Sequence, residues 1–183
     1  MQDLIREWQS GDNEAFASLF RQYEKMVYRT AYLITGDREA AKDVLQEVFV
    51  SVWKSRRSFN PELAKFTTWL HRITVNRCSR IRRKKNISFP SLEELKERGL
   101  QPNENPASIE EVMISRVEYD NFLHALNELD SKHRTVVVLR YFNDLSCDEV
   151  AGITGIPLGT VKSRLHYALK SLRQILFTEE GGL

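Results

Sequence analysis

The chain of 183 residues is poor in the groups that build several kinds of site. Its two cysteines, Cys78 and Cys147, lie far apart and in no CxxC or zinc spacing. That argues against a disulfide framework and favours buried or inert thiols over a redox function. Its four histidines, His71, His124, His133 and His166, form no ligand spacing, and neither an HExxH pair nor a glycine-rich phosphate loop occurs. No catalytic set, metal site or cofactor is therefore expected. No apolar run approaches the roughly 20 residues of a membrane span. The opening "MQDLIREWQSGD" lacks the basic-then-apolar layout of a signal peptide. A cytoplasmic protein without membrane insertion is the expectation.

Glycine and proline are also scarce, and they are unevenly placed. Through residue 86 the apolar spacing is helical, from Leu4, Ile5 and Trp8 to Phe16, Leu19, Phe20, Tyr23 and Val27, then Val44, Leu45, Val48, Phe49 and Val52. Gly11-Asp12 and Gly36-Asp37 break the pattern, and each aspartate suits a helix N-cap. "ISFPSLEELKERGLQPNENPAS" then brings three prolines, one glycine and many polar residues, the signature of a linker. Ser108 and Glu111 form a capping box for the helix beyond it. Phe122, Leu123, Leu126 and Leu129 give the next apolar stripe. "TVVVLRYF" (135–142) favours a strand by propensity, but no partner strand is in sight, so helix is expected. These signals predict an all-α protein of two small helical domains, 1–86 and 119–183, joined by a flexible linker, 87–118.

Net charge is only +2, but its distribution is informative. Residues 1–86 carry 17 basic and 10 acidic side chains, whereas residues 87–118 carry three and seven. One basic working surface followed by an acidic connector fits this field.

The segment "LSCDEVAGITGIPLGTVKSRLHYALKSLR" carries the most specific pattern. Ser146 and Glu149 make a capping box, Ala151 is small where two helices would cross, and Gly155 suits a turn that needs positive φ. Pro157 fits a first helical turn, and Ile156, Val161 and Leu165 would pack the second helix on the first. This is helix-turn-helix spacing, whose second helix typically enters the DNA major groove. Residues 157–177 hold Lys162, Arg164, His166, Lys170 and Arg173 without an acid. An amphipathic hairpin with a solvated basic face is the plainer alternative.

"TWLHRITVNRCSRIRRKK" (68–85) combines an apolar stripe, Trp69, Leu70, Ile73 and Ile81, with seven positive charges and no acid. On charge alone, a solvated face and a nucleic-acid surface fit equally well. Phe59, Phe66 and Trp69 beside it suit base stacking or a core. Trp69 is expected in the core, positioning the preceding loop.

"DVLQEVFVSVW", "FTTWLHRITVN" and "GIPLGTVKSRL", in this order, resemble the extracytoplasmic-function (ECF) sigma factors of the sigma-70 family. The resemblance covers nearly the whole chain outside the linker. It implies a transcription initiation factor that docks on core RNA polymerase and reads the −10 and −35 promoter elements. Asp43, Gln46 and Glu47 match the face that docks on the β′ clamp helices; the β flap is the second polymerase contact. The loop 59–66 matches the one that captures a flipped −10 base, with Asn60 the side chain best suited to a base edge. Lys65, Thr67, Trp69, Arg72, Asn76, Arg77 and Arg80 complete the implied −10 surface. Arg80 stands where the family often has an acid. Lys162, Ser163, Arg164, His166 and Tyr167 match the −35 helix, where His166 and Tyr167 are not the commonest family residues. An anti-sigma factor is implied as a further partner.

Two other classes are weighed against this reading. A stand-alone helix-turn-helix regulator leaves the basic helix and aromatic loop unexplained. An enzyme would need carboxylates scattered in sequence to converge in space.

Overall fold

The structure is a computed structural model, and it describes residues 2–85 and 116–179. Among the described residues all regular structure is helical. Helix α1 spans Gln2–Ser10, α2 Asn13–Thr35 and α3 Arg38–Lys54; a 3-10 turn, Arg56–Ser58, leads into the loop before α4, Phe66–Lys85. The breaks fall where the sequence places them. Asp12 accepts hydrogen bonds from the N–H groups of Glu14 (2.7 Å) and Ala15 (2.9 Å), satisfying two donors that the first turn of α2 leaves free. Gly36 ends α2 at φ 71°, with its N–H donating to the Tyr32 carbonyl at 2.7 Å. Asp37 then caps α3 through the Ala40 N–H at 2.6 Å.

These four helices close around one core. Trp8, Leu19, Val27, Val44, Val48, Val52 and Leu70 are fully buried. Burying such a side chain contributes about 1.5–3 kcal/mol. Beneath the loop that precedes α4, the rings of Trp8, Phe59, Phe66 and Trp69 meet at centroid separations of 4.9–6.1 Å. The cluster is built mostly edge-on or tilted, as ring quadrupoles prefer. Gln9 fastens the same loop by donating to the Phe59 carbonyl (2.7 Å) and the Arg56 carbonyl (3.2 Å).

The second domain holds α5 (Arg116–Glu128), α6 (Ser131–Val137), α7 (Cys147–Thr154) and α8 (Leu158–Glu179). The β-branched run 135–142 is helical, as expected, and passes from α6 into a π turn, Val138–Phe142. Val136, Val137, Val138 and Leu139 are all buried, so packing overrides their strand propensity. Ser146 and Glu149 form the capping box reciprocally, at 3.2 and 2.9 Å, and Gly155 takes φ 69° in the turn. Pro157 lies one residue earlier than expected: α8 begins at Leu158, and the Pro157 carbonyl accepts the Val161 N–H at 3.0 Å. Val161 and Leu165 are buried and Ile156 packs against the core, as the helix-turn-helix pattern requires.

α5 starts at Arg116, inside the segment expected to be linker. The rest of that linker, with the Ser108–Glu111 capping box, lies outside the described residues. The two domains pack against one another, α2 on α6 and its π turn, and α4 on α7.

Candidate nucleic-acid and polymerase interfaces

Helix α3 separates its residues cleanly by face. Ala40, Ala41, Val44, Val48 and Val52 are buried, whereas Asp43, Gln46 and Glu47 are exposed. Val50, an apolar residue at 52% exposure, extends the same outer face by one turn. An exposed valine at that register could have been read from the i, i+3, i+4, i+7 spacing with Asp43, Gln46 and Glu47. It turns a purely polar patch into one with an apolar anchor, which suits a helix-on-helix contact.

On α4 the helical register divides the residues into two sides. Leu70, His71, Thr74, Val75, Cys78 and Ile81 are buried. Arg72, Asn76 and Arg80 are exposed, four residues apart and therefore on one face, with Trp69, Ile73 and Arg77 half-buried at its edge. Thr67 is not part of that surface. It is half-buried, on the stripe of Leu70, Thr74 and Ile81.

The structure brings two of the expected surfaces into contact. Arg77 pairs with Glu47 at 3.2 Å and donates to the Ser51 hydroxyl at 2.7 Å. Such a partly exposed pair contributes about 0.2–1 kcal/mol, enough to set a rotamer but not to hold the fold. Between the two helices runs a groove of about 300 Å³ lined by Ser51, Ser55, Trp69, Ile73, Asn76, Arg77 and Arg80. Nothing in the linear sequence links Glu47 to Arg77, so this pairing was not legible there.

The loop 59–66 has a rigid base and an exposed rim. Phe59 and Phe66 are buried in the ring cluster, so neither is free to stack on a base. Trp69 was expected in the core but is half-buried at its edge, with its ring 4.9 Å from that of Phe59. Asn60 is exposed, but its side-chain oxygen accepts the Glu62 N–H at 2.9 Å and its carbonyl accepts the Leu63 N–H at 3.2 Å. This is an Asx turn, which leaves the amide nitrogen for other partners. Lys65, exposed, ends the loop next to the first turn of α4.

In α8, Lys162, Ser163, His166 and Tyr167 are exposed and share the outward face, opposite the buried Val161, Leu165, Ala168 and Leu172. The His166 and Tyr167 rings sit edge-on at 5.5 Å. Ser163 spends its hydroxyl proton on the Thr160 carbonyl at 3.0 Å, which leaves it an acceptor toward solvent. Arg164 is different. It is half-buried and lines a cleft between the domains with Ile34, Val75 and Ser79.

Among the described residues, no group of histidine, cysteine or acidic side chains could hold a metal ion, and no helix is long and apolar enough to cross a membrane.

The family models for Sigma-70 region 2 and Sigma-70 region 4 match residues 19–87 and 125–174. The ECF RNA polymerase sigma factor SigW of Bacillus subtilis is 33% identical over 177 residues, 94% of each chain. The chain belongs to the ECF group of the sigma-70 family. It is thus a transcription initiation factor that directs RNA polymerase to specific promoters. The ECF sigma factor SigE of Mycolicibacterium smegmatis is 36% identical over 91% of this chain and 65% of its own. Among solved structures, CnrH in complex with the cytosolic domain of CnrY aligns with a TM-score of 0.69, at 24% identity and 96% coverage of both chains. RpoE of Bartonella quintana, solved with the anti-sigma factor NepR, gives a TM-score of 0.65 at 22% identity, covering 88% of this chain and 96% of that one. Both likenesses bear on the fold alone. Region 2 coincides with α2–α4, which carry the outer face of α3 and the basic face of α4, and region 4 with the helix-turn-helix.

Proposed function

We propose that this ECF sigma factor divides promoter recognition among three helices. The outer face of α3, Asp43, Gln46, Glu47 and Val50, docks on the β′ clamp helices of core polymerase, and the second domain reaches the β flap. Arg72, Asn76 and Arg80 with Lys65 hold the separated −10 strand. Asn60 keeps its loop in shape and offers its amide nitrogen to a captured base. Arg77 reaches DNA from its seat on Glu47 and Ser51, and Thr67 supports the helix rather than the strand. Lys162, Ser163, His166 and Tyr167 read the −35 element, with Arg164 at its phosphate edge.

The observation that carries this reading is the contrast between the two faces of α3. A helix whose inner valines are fully buried presents two acids, an amide and an exposed valine outward. A helix-turn-helix regulator working alone has no use for that face. The chain acts in the cytoplasm by binding, without chemistry or a cofactor of its own, and melting draws on base capture. RpoE of Bartonella quintana, which shares this fold, is solved with an anti-sigma factor, and this supports an anti-sigma partner here.

The test is the double substitution Gln46→Ala, Glu47→Ala. Loss of the Glu47–Arg77 pair costs at most about 1 kcal/mol, so the circular-dichroism melt should stay within a few degrees of wild type. Pull-down by core polymerase should weaken about thirtyfold, since truncating central interface residues costs about 2 kcal/mol or more. Full retention of core binding by a normally folded variant would move the docking site off α3.

A further inference from the structure

Helix α1 lies ahead of the Sigma-70 region 2 match, which begins at residue 19, yet it is built into the floor of the 59–66 loop. Ile5 and Trp8 are buried, and Gln9 follows on the same side of the helix, one turn on from Ile5. The Trp8 ring meets those of Phe59, Phe66 and Trp69 at 6.1, 5.5 and 6.0 Å. Gly11, at φ 100°, ends the helix just beyond, and its N–H donates to the Trp8 carbonyl at 3.0 Å. Gln9 therefore leaves from the last turn, beside the loop.

Both protons of the Gln9 amide are used on this stretch of chain. Nε2 donates to the Phe59 carbonyl at 2.7 Å and to the Arg56 carbonyl at 3.2 Å, across 50 and 47 residues of sequence. Two carbonyls fix the orientation of the amide, because its oxygen has no proton to offer them. The loop's own bonds are short in range. Asn60 accepts from Glu62 and Leu63, and Ser58 donates its N–H and its hydroxyl to the Ser55 carbonyl. Those bonds fix the shape of the turn, not its position on the domain. Gln9 fixes the position, at Phe59, the residue directly before Asn60. The Arg56 side chain secures the near end, donating to the Trp53 carbonyl at 2.9 Å with its guanidinium 4.3 Å from the Trp53 ring centre. A group that reads a ligand must be held to within about 0.5 Å by the residues behind it.

We infer, on the base-capture reading of the 59–66 loop, that Gln9 is a positioning residue for −10 recognition. It sets where the loop presents Asn60, and so how strongly one base is preferred over another. Gln9 acts through the Phe59 main chain rather than on the strand itself. A displaced loop weakens binding of the preferred base more than of the others, because only the preferred base makes hydrogen bonds that depend on distance and angle. Loss of the Gln9 amide therefore lowers selectivity, not affinity alone.

The experiment uses holoenzyme assembled from core polymerase and the full chain, as wild type, Gln9→Met, Gln9→Glu and Asn60→Ala. Gln9→Met keeps the length of the side chain and removes both donors; Gln9→Glu keeps its shape and replaces the donors with acceptors. Each holoenzyme is titrated against fork-junction DNA from a promoter it transcribes, with all four bases in turn at each unpaired −10 position. The quantity read is the ratio of affinities for the best and worst base, taken at the position whose preference Asn60→Ala abolishes. That ratio does not depend on the active fraction, so a role in stability alone would leave it intact. Both Gln9 variants should cut it about tenfold, the effect of losing one or two hydrogen bonds, while pull-down by core polymerase stays at the wild-type level. An unchanged ratio in either Gln9 variant, beside its loss in Asn60→Ala, would overturn the role of Gln9 and leave the loop as the reader. If Asn60→Ala keeps every preference of the wild type, the loop reads no base, and Gln9 loses its role with it.

Discussion

His71 shows how one residue ties fold to solution behaviour. It is 3% exposed on α4, against the second domain, and burial lowers its imidazole pKa from 6.5 to about 4, opposed by the nearby Glu149. The folded protein therefore binds fewer protons here than the unfolded chain between those values. Its contribution to stability is complete above about pH 6.5 and is lost as pH falls toward 4. The loss approaches about 3 kcal/mol at the lower limit. Glu149, held below its usual range by the Ser146 backbone N–H and then by its hydroxyl, loses its share only at still lower pH. Urea melts at pH 7.5 and 5 should show the decline in wild type, and His71→Leu should flatten it. An equal decline in the variant would place the acid sensitivity elsewhere. Little of this residue's role was legible in sequence, where His71 counted only as a histidine without ligand spacing. Asp12, Asp37 and Ser146 were legible, because a cap acts over two or three residues of its own chain. Gln9 and Asn60 were not. The partners of Gln9 are distant in sequence, and the Asx turn competes with the base-pairing role that the Asn60 residue type suggests.

At the scale of elements, helical periodicity foretold most of what the structure contains. The valine-rich run 135–142 is legible as helix because no partner strand accompanies it in the sequence, but its π turn depends on tertiary packing that no local pattern encodes. The faces of α3 and α8 follow from 3.6-residue spacing, and the same spacing sets Thr67 off the face of Arg72, Asn76 and Arg80. The same register separates Lys162 from Arg164 on α8, one outward and one toward the first domain. Lys162→Ala should cost roughly 1–3 kcal/mol on its preferred −35 sequence and relax specificity at one position. Arg164→Ala should weaken all sequences alike. Binding of holoenzyme to a set of single-base −35 variants distinguishes them. Equal, sequence-blind losses for both would remove Lys162 from base reading.

For the whole molecule, charge and order of motifs foretold two functional halves, and the structure adds that the halves lie against each other. Composition could not show this, because the contact uses few residues and no periodic signal. If one chain carries a polymerase-docking helix, a −10 surface and a −35 helix that act together, it should confer promoter-specific initiation on core polymerase. The most direct measurement is run-off transcription by purified core polymerase, with and without this chain, on a library of genomic promoters. Transcripts should appear only with the chain, from start sites that share two upstream elements. A chain that footprints duplex DNA tightly without polymerase, and adds no transcript when core enzyme is present, would contradict this reading.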